Sequence, residues 1–208
     1  MKKALSINDV MNRKYDTLPF TGEWLEAFGE PERTGVWFVW GATGSGKSSF
    51  LMQLCVELCK HGKVLYNSLE EGSGLSFRNS LERVKDGLDK RRFSIVNEPI
   101  SVLTERLTRR RSADFVVIDS FQYSGLNYDT YRKFKEAHHN KLIIFTSHAD
   151  GKRPAGRSAK SVVFDADLKI FIDAFKAKSN GRFIGSNGGY FTVWPEAKWG
   201  VWGNNEDN

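Results

Sequence analysis

Gly41, Ala42, Thr43, Gly44, Ser45, Gly46, Lys47, Ser48 and Ser49 follow one another with glycine, glycine, lysine and serine at the offsets of G-x-x-x-x-G-K-S. That spacing binds phosphate: the glycines let backbone N–H groups close around it, at the positive end of the helix that follows. Lys47 would neutralise β- and γ-phosphates, Ser48 would place its hydroxyl on Mg²⁺, and Ser49 would back the α-phosphate. A phosphate-transfer site also needs an acid at the end of a buried strand to hold the metal shell. Asp119, closing "FVVID", fits that need. Activating a water needs a base, and "YNSLEE" offers two, Glu70 and Glu71.

These groups must be held by strands and helices, and the chain supplies them in alternation. Apolar runs at 36–40, 63–69, 93–97, 114–120, 141–147, 167–173 and 190–194 read as strands. Helices are expected over 48–60, closed by Gly62, and over 75–88, 101–111 and 128–139. Strands alternating with helices imply an α/β fold with a mainly parallel central sheet flanked by helices. The stretch "FKAKSNGRFIG" reads as a hairpin, so antiparallel strands are expected at the C-terminal edge. Between 149 and 160 a polar loop is expected. The organisation expected is an N-terminal extension over 1–20, one core over 21–195 and a disordered tail over 196–208.

The composition suits a folded chain: 208 residues, 40% hydrophobic and 27% charged. No apolar run approaches the ~20 residues of a membrane span, and no signal core follows the N-terminal lysines, so a cytoplasmic protein with no membrane partner is expected. Cys55 and Cys59 lie four apart on an amphipathic pattern and read as buried thiols rather than a zinc site. A net charge of +6 suggests an acidic partner, nucleic acid first. The triplets Lys90-Arg91-Arg92 and Arg109-Arg110-Arg111 read as solvated helix ends or turns. Lys152, Arg153, Arg157 and Lys160 fall in the expected loop and carry more of that suggestion.

Together the motifs resemble the RecA-like P-loop ATPases, especially the RadA/Sms and DnaB-helicase branches. The resemblance runs from "FTGEWLEAFGEPERTGVWFVWGATGSGKSS" through "KVLYNSLEE" and "DFVVIDSFQ" to "LIIFTSHADGKRPAGRSAKSVVFDADLKIFI" and "FKAKSNGRF". It implies ATP and Mg²⁺ as ligands and selects Glu70 over Glu71 as the catalytic glutamate. His148 stands beside a strand-end position that is often glutamine in these families and contacts the γ-phosphate. Lys178 matches a lysine that completes a neighbouring subunit's site, and Arg182 is displaced from the usual arginine spacing. A homo-oligomer is therefore implied.

The resemblance also implies DNA as the substrate of the motor, single-stranded DNA first. The loops that face DNA in such proteins correspond to 121–129 and 149–160. The first would offer Tyr123 and Tyr128 as stacking platforms, with Phe121 assigned to the core. The second would offer Lys152, Arg153, Arg157 and Lys160 to phosphates. Trp194, Trp199 and Trp202 read first as core or edge packing on the last hairpin, with a place beside the adenine or a subunit or partner contact as the alternatives. The leading expectation is an ATPase of DNA recombination, repair or replication. Its rival is a nucleotide-switched adaptor or loader that docks a protein partner. A small-molecule kinase fits less well, for want of a lid or a substrate-binding insertion.

Overall fold

The structure is a computed structural model that describes residues 4–194. Trp199, Trp202 and the tail over 196–208 lie outside the described residues.

Strand β1 (Gly35–Gly41) shows why the central strands are apolar runs. Val36, Phe38 and Trp40 face one core and Trp37 and Val39 the other, so both sides are buried. The same holds for β4 (Phe115–Asp119), where Phe115 and Val117 oppose Val116 and Ile118. With β2 (Val64–Ser68), β3 (Phe93–Val96), β5 (Leu142–Asp150) and β7 (Leu168–Asp173) they form a parallel sheet in the order β3-β2-β4-β5-β1-β7. Strands β8 (Lys176–Ser179) and β9 (Tyr190–Thr192) extend that edge antiparallel.

Seven helices accompany the sheet among the described residues: α1 (Ile7–Met11), α2 (Gly22–Phe28), α3 (Lys47–His61), α4 (Leu75–Glu82), α5 (Ile100–Thr108), α6 (Tyr128–Ala137) and α7 (Arg157–Asp165). Helix α3 buries Phe50, Leu51, Leu54, Cys55, Leu58 and Cys59 against one face of the sheet. On the other face α5, α6 and α7 contribute Leu103, Leu107, Tyr131, Phe134, Ala159 and Val162. The core also takes in Leu18 and Phe20, just before the expected boundary at residue 21.

Several expectations need correction. Helix α4 ends at Glu82 rather than 88, because Val84 and Gly87 turn back in three-residue steps on to Leu81 and Val84. Helix α5 stops at Thr108, and the Ser112 hydroxyl donates to Leu107 O just beyond it. The segment 149–160 is not a loop. Strand β5 runs on to Asp150 and pairs antiparallel with β6 (Arg153–Pro154), after which α7 begins at Arg157. Nor is 175–185 a hairpin by itself. Strand β8 pairs backwards with β7, and Asn180 and Arg182 then follow β7 before the chain returns as β9.

Candidate functional site

The carboxyl ends of β1, β2, β4 and β5 lie side by side, where ligands of open α/β sheets bind. Helix α3 starts directly after Gly46 with no side-chain cap, so its first N–H groups point into the loop without a side-chain acceptor. Two glycines here are required by geometry. A Cβ at Gly41 would sit 2.3 Å from Ile172 O, and Gly46 has φ of +102° with Phe175 Cδ1 2.8 Å from where its Cβ would be. The Ser45 hydroxyl is buried without a partner. Lys47 Nζ curls back to donate to Gly41 O at 2.8 Å and Ala42 O at 2.9 Å. Burial lowers the pKa of this ammonium, while the nearby Asp119 and Glu70 carboxylates act the other way. Those three charges therefore share one site. Ser48 and Ser49 occupy the first turn of α3, half-buried. Ala42, Thr43 and Gly44 form the exposed outer rim of the loop.

Asp119 closes β4 with both oxygens engaged. Tyr66 Oη donates to Oδ2 at 2.6 Å and Thr146 Oγ1 donates to Oδ1 at 2.5 Å. Burial first, then Asp119, push the Tyr66 phenol well above its ordinary pKa, so it stays a donor. Sequence reasoning missed both partners. They sit on β2 and β5, and only the strand order places them beside β4. Glu70 follows β2, and its N–H and that of Leu69 donate to Asp119 O. Its Oε1 lies 3.1 Å from His148 Nε2. His148 is the register partner of Gly41 on the neighbouring strand. Lys47, Asp119, Glu70 and His148, from four separate stretches of chain, thus converge.

The donor set suits a magnesium nucleotide. Mg²⁺ keeps several waters and binds through one or two carboxylates plus phosphate oxygens, so a serine and one oriented aspartate meet its needs. Among the described residues no group of three or more His, Cys, Asp or Glu side chains suits a metal ion by itself. Beside the loop, a cleft of ≈330 Å³ between α3 and α4 is lined by Ser49, Met52, Gln53, Arg83, Val84 and Trp194 among others. It is apolar with a few polar groups, as a nucleoside pocket is. Trp194 meets the Phe175 ring edge-on, 5.8 Å between centroids.

The remaining candidates lie apart from this cluster. Lys178 is exposed on β8, its ammonium 5.2 Å from the Tyr190 ring centre. Arg182 is paired with Asp167 at 2.6 Å, at the amino end of β7 and so at the opposite end of the sheet from the phosphate loop. Lys152 and Arg153 are exposed on the β5–β6 hairpin, whereas Arg157 and Lys160 belong to α7. Tyr123 is exposed in a short 3-10 turn over 121–124, and Tyr128 stacks on Tyr131. The hairpin is tied to the site: Ala155 N donates to His148 O, and Gln122 Nε2 donates to Ser147 Oγ and Ala155 O.

Comparison with known proteins supports the fold. The family described as an AAA domain matches residues 8–125, more than half of the chain. None of the curated proteins matches the sequence. Among solved structures, the flagellar accessory protein FlaH of Methanocaldococcus jannaschii is similar with a TM-score of 0.61 at 15% identity, covering 85% of this chain and 91% of that one. A KaiC-like protein of the hyperthermophilic archaeon Pyrococcus horikoshii is similar with a TM-score of 0.56 at 20% identity, covering 82% and 88%. The shared fold is that of RecA-like P-loop ATPases. No helix among the described residues is long and apolar enough to cross a membrane.

Proposed function

From a chain that belongs to the AAA domain family and has the RecA-like P-loop ATPase fold, we propose an ATP hydrolase that couples turnover to single-stranded DNA and works as an oligomer. The observation that carries hydrolysis is the convergence of Glu70 and His148 on the strand ends that also bring Lys47 and Asp119 together. Lys47 leaves Gly41 O and Ala42 O for the β- and γ-phosphates. Ser48 and the oriented Asp119 hold Mg²⁺ and its waters. Mg²⁺ held there would supply neutralisation of the phosphate charge. Glu70 takes the proton of the attacking water. His148, whose Nε2 lies 3.1 Å from Glu70 Oε1, positions that carboxylate and is close enough to the loop to sense the γ-phosphate.

Coupling to DNA rests on the path from His148 O through Ala155 to the basic hairpin. A change at the γ-phosphate reaches Lys152 and Arg153 through one strand end. Lys178, exposed on β8 with its ammonium over the Tyr190 ring, is available to a neighbouring protomer's nucleotide. Arg182 would first have to exchange Asp167 for phosphate. The role in recombination, repair or replication follows from the same reading. ATP turnover measured against protein concentration, with and without single-stranded DNA, tests it. Turnover rising with both supports the reading. Slow turnover indifferent to DNA overturns it.

One observation favours a second reading, a nucleotide-switched adaptor. Residues 4–16 are exposed throughout, and Leu5, Ile7, Val10 and Met11 leave apolar surface in water around a capped helix. Such an arm suits a protein contact. Tight ATP binding, slow turnover and loss of a protein complex on Ile7→Ser with Met11→Ser would favour the adaptor.

A further inference from the structure

A second cleft, of ≈290 Å³, lies between the β5–β6 hairpin and α7, outside the nucleotide site. Trp40 lines it, only 8% exposed, and its Nε1 donates to Lys152 O at 3.2 Å, pinning the hairpin to the end of β1. Phe164 forms another part of the lining. Helix α7 turns Ala159 and Val162 into the core, while Arg157, Lys160 and Phe164, spaced three and four apart, share the outer face. Phe164 is 81% exposed, the largest fractional exposure of a large apolar side chain among the described residues outside the N-terminal arm. A ring left in water beside an apolar cleft is a surface lacking its partner.

Cations ring that cleft. Lys152 and Arg153 line it from the hairpin and Lys160 from α7, and Arg157 lies outside the lining, one turn before Lys160 on the same face of α7. Against them the hairpin sets one carboxylate, Asp150, 3.5 Å from Lys160 and itself 73% exposed. An exposed pair of this kind holds little energy and yields readily to a phosphate. The combination selects its ligand. A planar apolar group must enter against Trp40 and Phe164 while anions lie on both sides of it. A duplex keeps its base faces stacked inside and cannot present one. A single strand presents both at once.

We infer that this cleft takes one unstacked nucleobase of a single strand, with the flanking phosphates on Lys152, Arg153, Arg157 and Lys160. The inference rests on the DNA reading proposed above and adds a base-stacking site to it.

Anisotropy of a fluorescein-labelled oligothymidylate, with the full chain and a non-hydrolysable ATP analogue, tests it against an abasic strand of equal length. Phe164→Ala should weaken the thymidine strand by about 5- to 150-fold, the range for one lost base–aromatic stack. It should leave the abasic strand unchanged. Lys152→Gln with Arg153→Gln should weaken both strands and flatten the salt dependence by about 0.7 per lost phosphate contact. Phe164 is exposed, so the variant should keep the parent's melting temperature. Equal affinity for both strands, or a thymidine affinity unmoved by Phe164→Ala, overturns the base site while leaving DNA binding intact. If the unaltered chain binds neither strand, the DNA reading falls and the base site with it. A polyglutamate peptide that binds as tightly as the thymidine strand reassigns the cleft to an acidic protein and overturns the inference.

Discussion

His148 Nε2 lies 3.1 Å from Glu70 Oε1, so these two side chains meet as one pair beside the phosphate loop. Glu70 follows β2 and His148 lies on β5, two residues before its end at Asp150, with β4 between the two strands. Glu70→Gln should keep nucleotide binding and lose about 10²- to 10⁴-fold in turnover, the range of a general base. His148→Ala should cost less. On the proposed reading, in which His148 acts through Glu70, the double variant should be no slower than Glu70→Gln alone. Losses that multiply in single-turnover kinetics would show two independent roles.

The hydrogen bonds to Asp119 come from the interior. Tyr66→Phe removes the donor to Oδ2 and leaves the rest of the ring in place. Partners that orient a metal-binding carboxylate typically matter by about 10- to 100-fold in metal affinity. Tyr66→Phe and Thr146→Val should each raise the Mg²⁺ concentration needed for nucleotide binding by that factor. Magnesium titration of a fluorescent ADP analogue measures it. An unchanged midpoint in both variants would show that Asp119 needs neither donor.

Contiguity decides how much of this was legible in the sequence. The phosphate loop is a single run of residues, and Asp119 ends a visibly apolar strand, so both could be read directly. Tyr66, Thr146 and the Glu70–His148 pair arise from strand order, which no local pattern contains. The helix α7 was hidden because Pro154, Gly156 and Ser158 suggested a loop. Its signal was the apolar set Ala159, Val162, Val163 and Ala166 at helical spacing, all packed on the core. The β5–β6 hairpin likewise rests on two residue pairs, Ala149 with Pro154 and Asp150 with Arg153, too short a run to carry a strand pattern.

Burial also sets a pH limit. It pushes the Cys59 thiol from an ordinary 9.0 up to about 11, and raises Cys55 well above its usual value as well. Between pH 9 and 11 the folded chain therefore holds protons that the unfolded chain has released. The stability linked to Cys59 is complete below pH 9 and is lost as pH rises through that window. Urea unfolding should show a steeper fall from pH 9 to 11 in the parent than in Cys59→Ala. At pH 8, iodoacetamide should label neither cysteine until denaturant is added. Rapid labelling of the native chain, read by mass, would place the thiols in solvent.

The turn between β7 and β8 makes the last prediction. Asp173 pairs with Lys176, leaving Ala174 and Phe175 as a two-residue loop with φ of 44° and 57°. Such turns favour Asn-Gly, because a side chain in the left-handed region costs roughly 1–2 kcal/mol per residue. Here the strained pair is held against the phosphate loop: Phe175 N donates to Ser45 O at 3.0 Å and its ring packs on Gly46. Ala174→Gly relieves strain without touching that contact. It should stabilise the chain by up to about 1 kcal/mol in urea unfolding, with nucleotide affinity unchanged. Phe175→Gly relieves the same strain but removes the ring that wedges the loop, so nucleotide affinity should fall at temperatures where the chain stays folded. Equal nucleotide affinity in the two variants would mean that the turn is only a connection between strands and does not shape the phosphate loop.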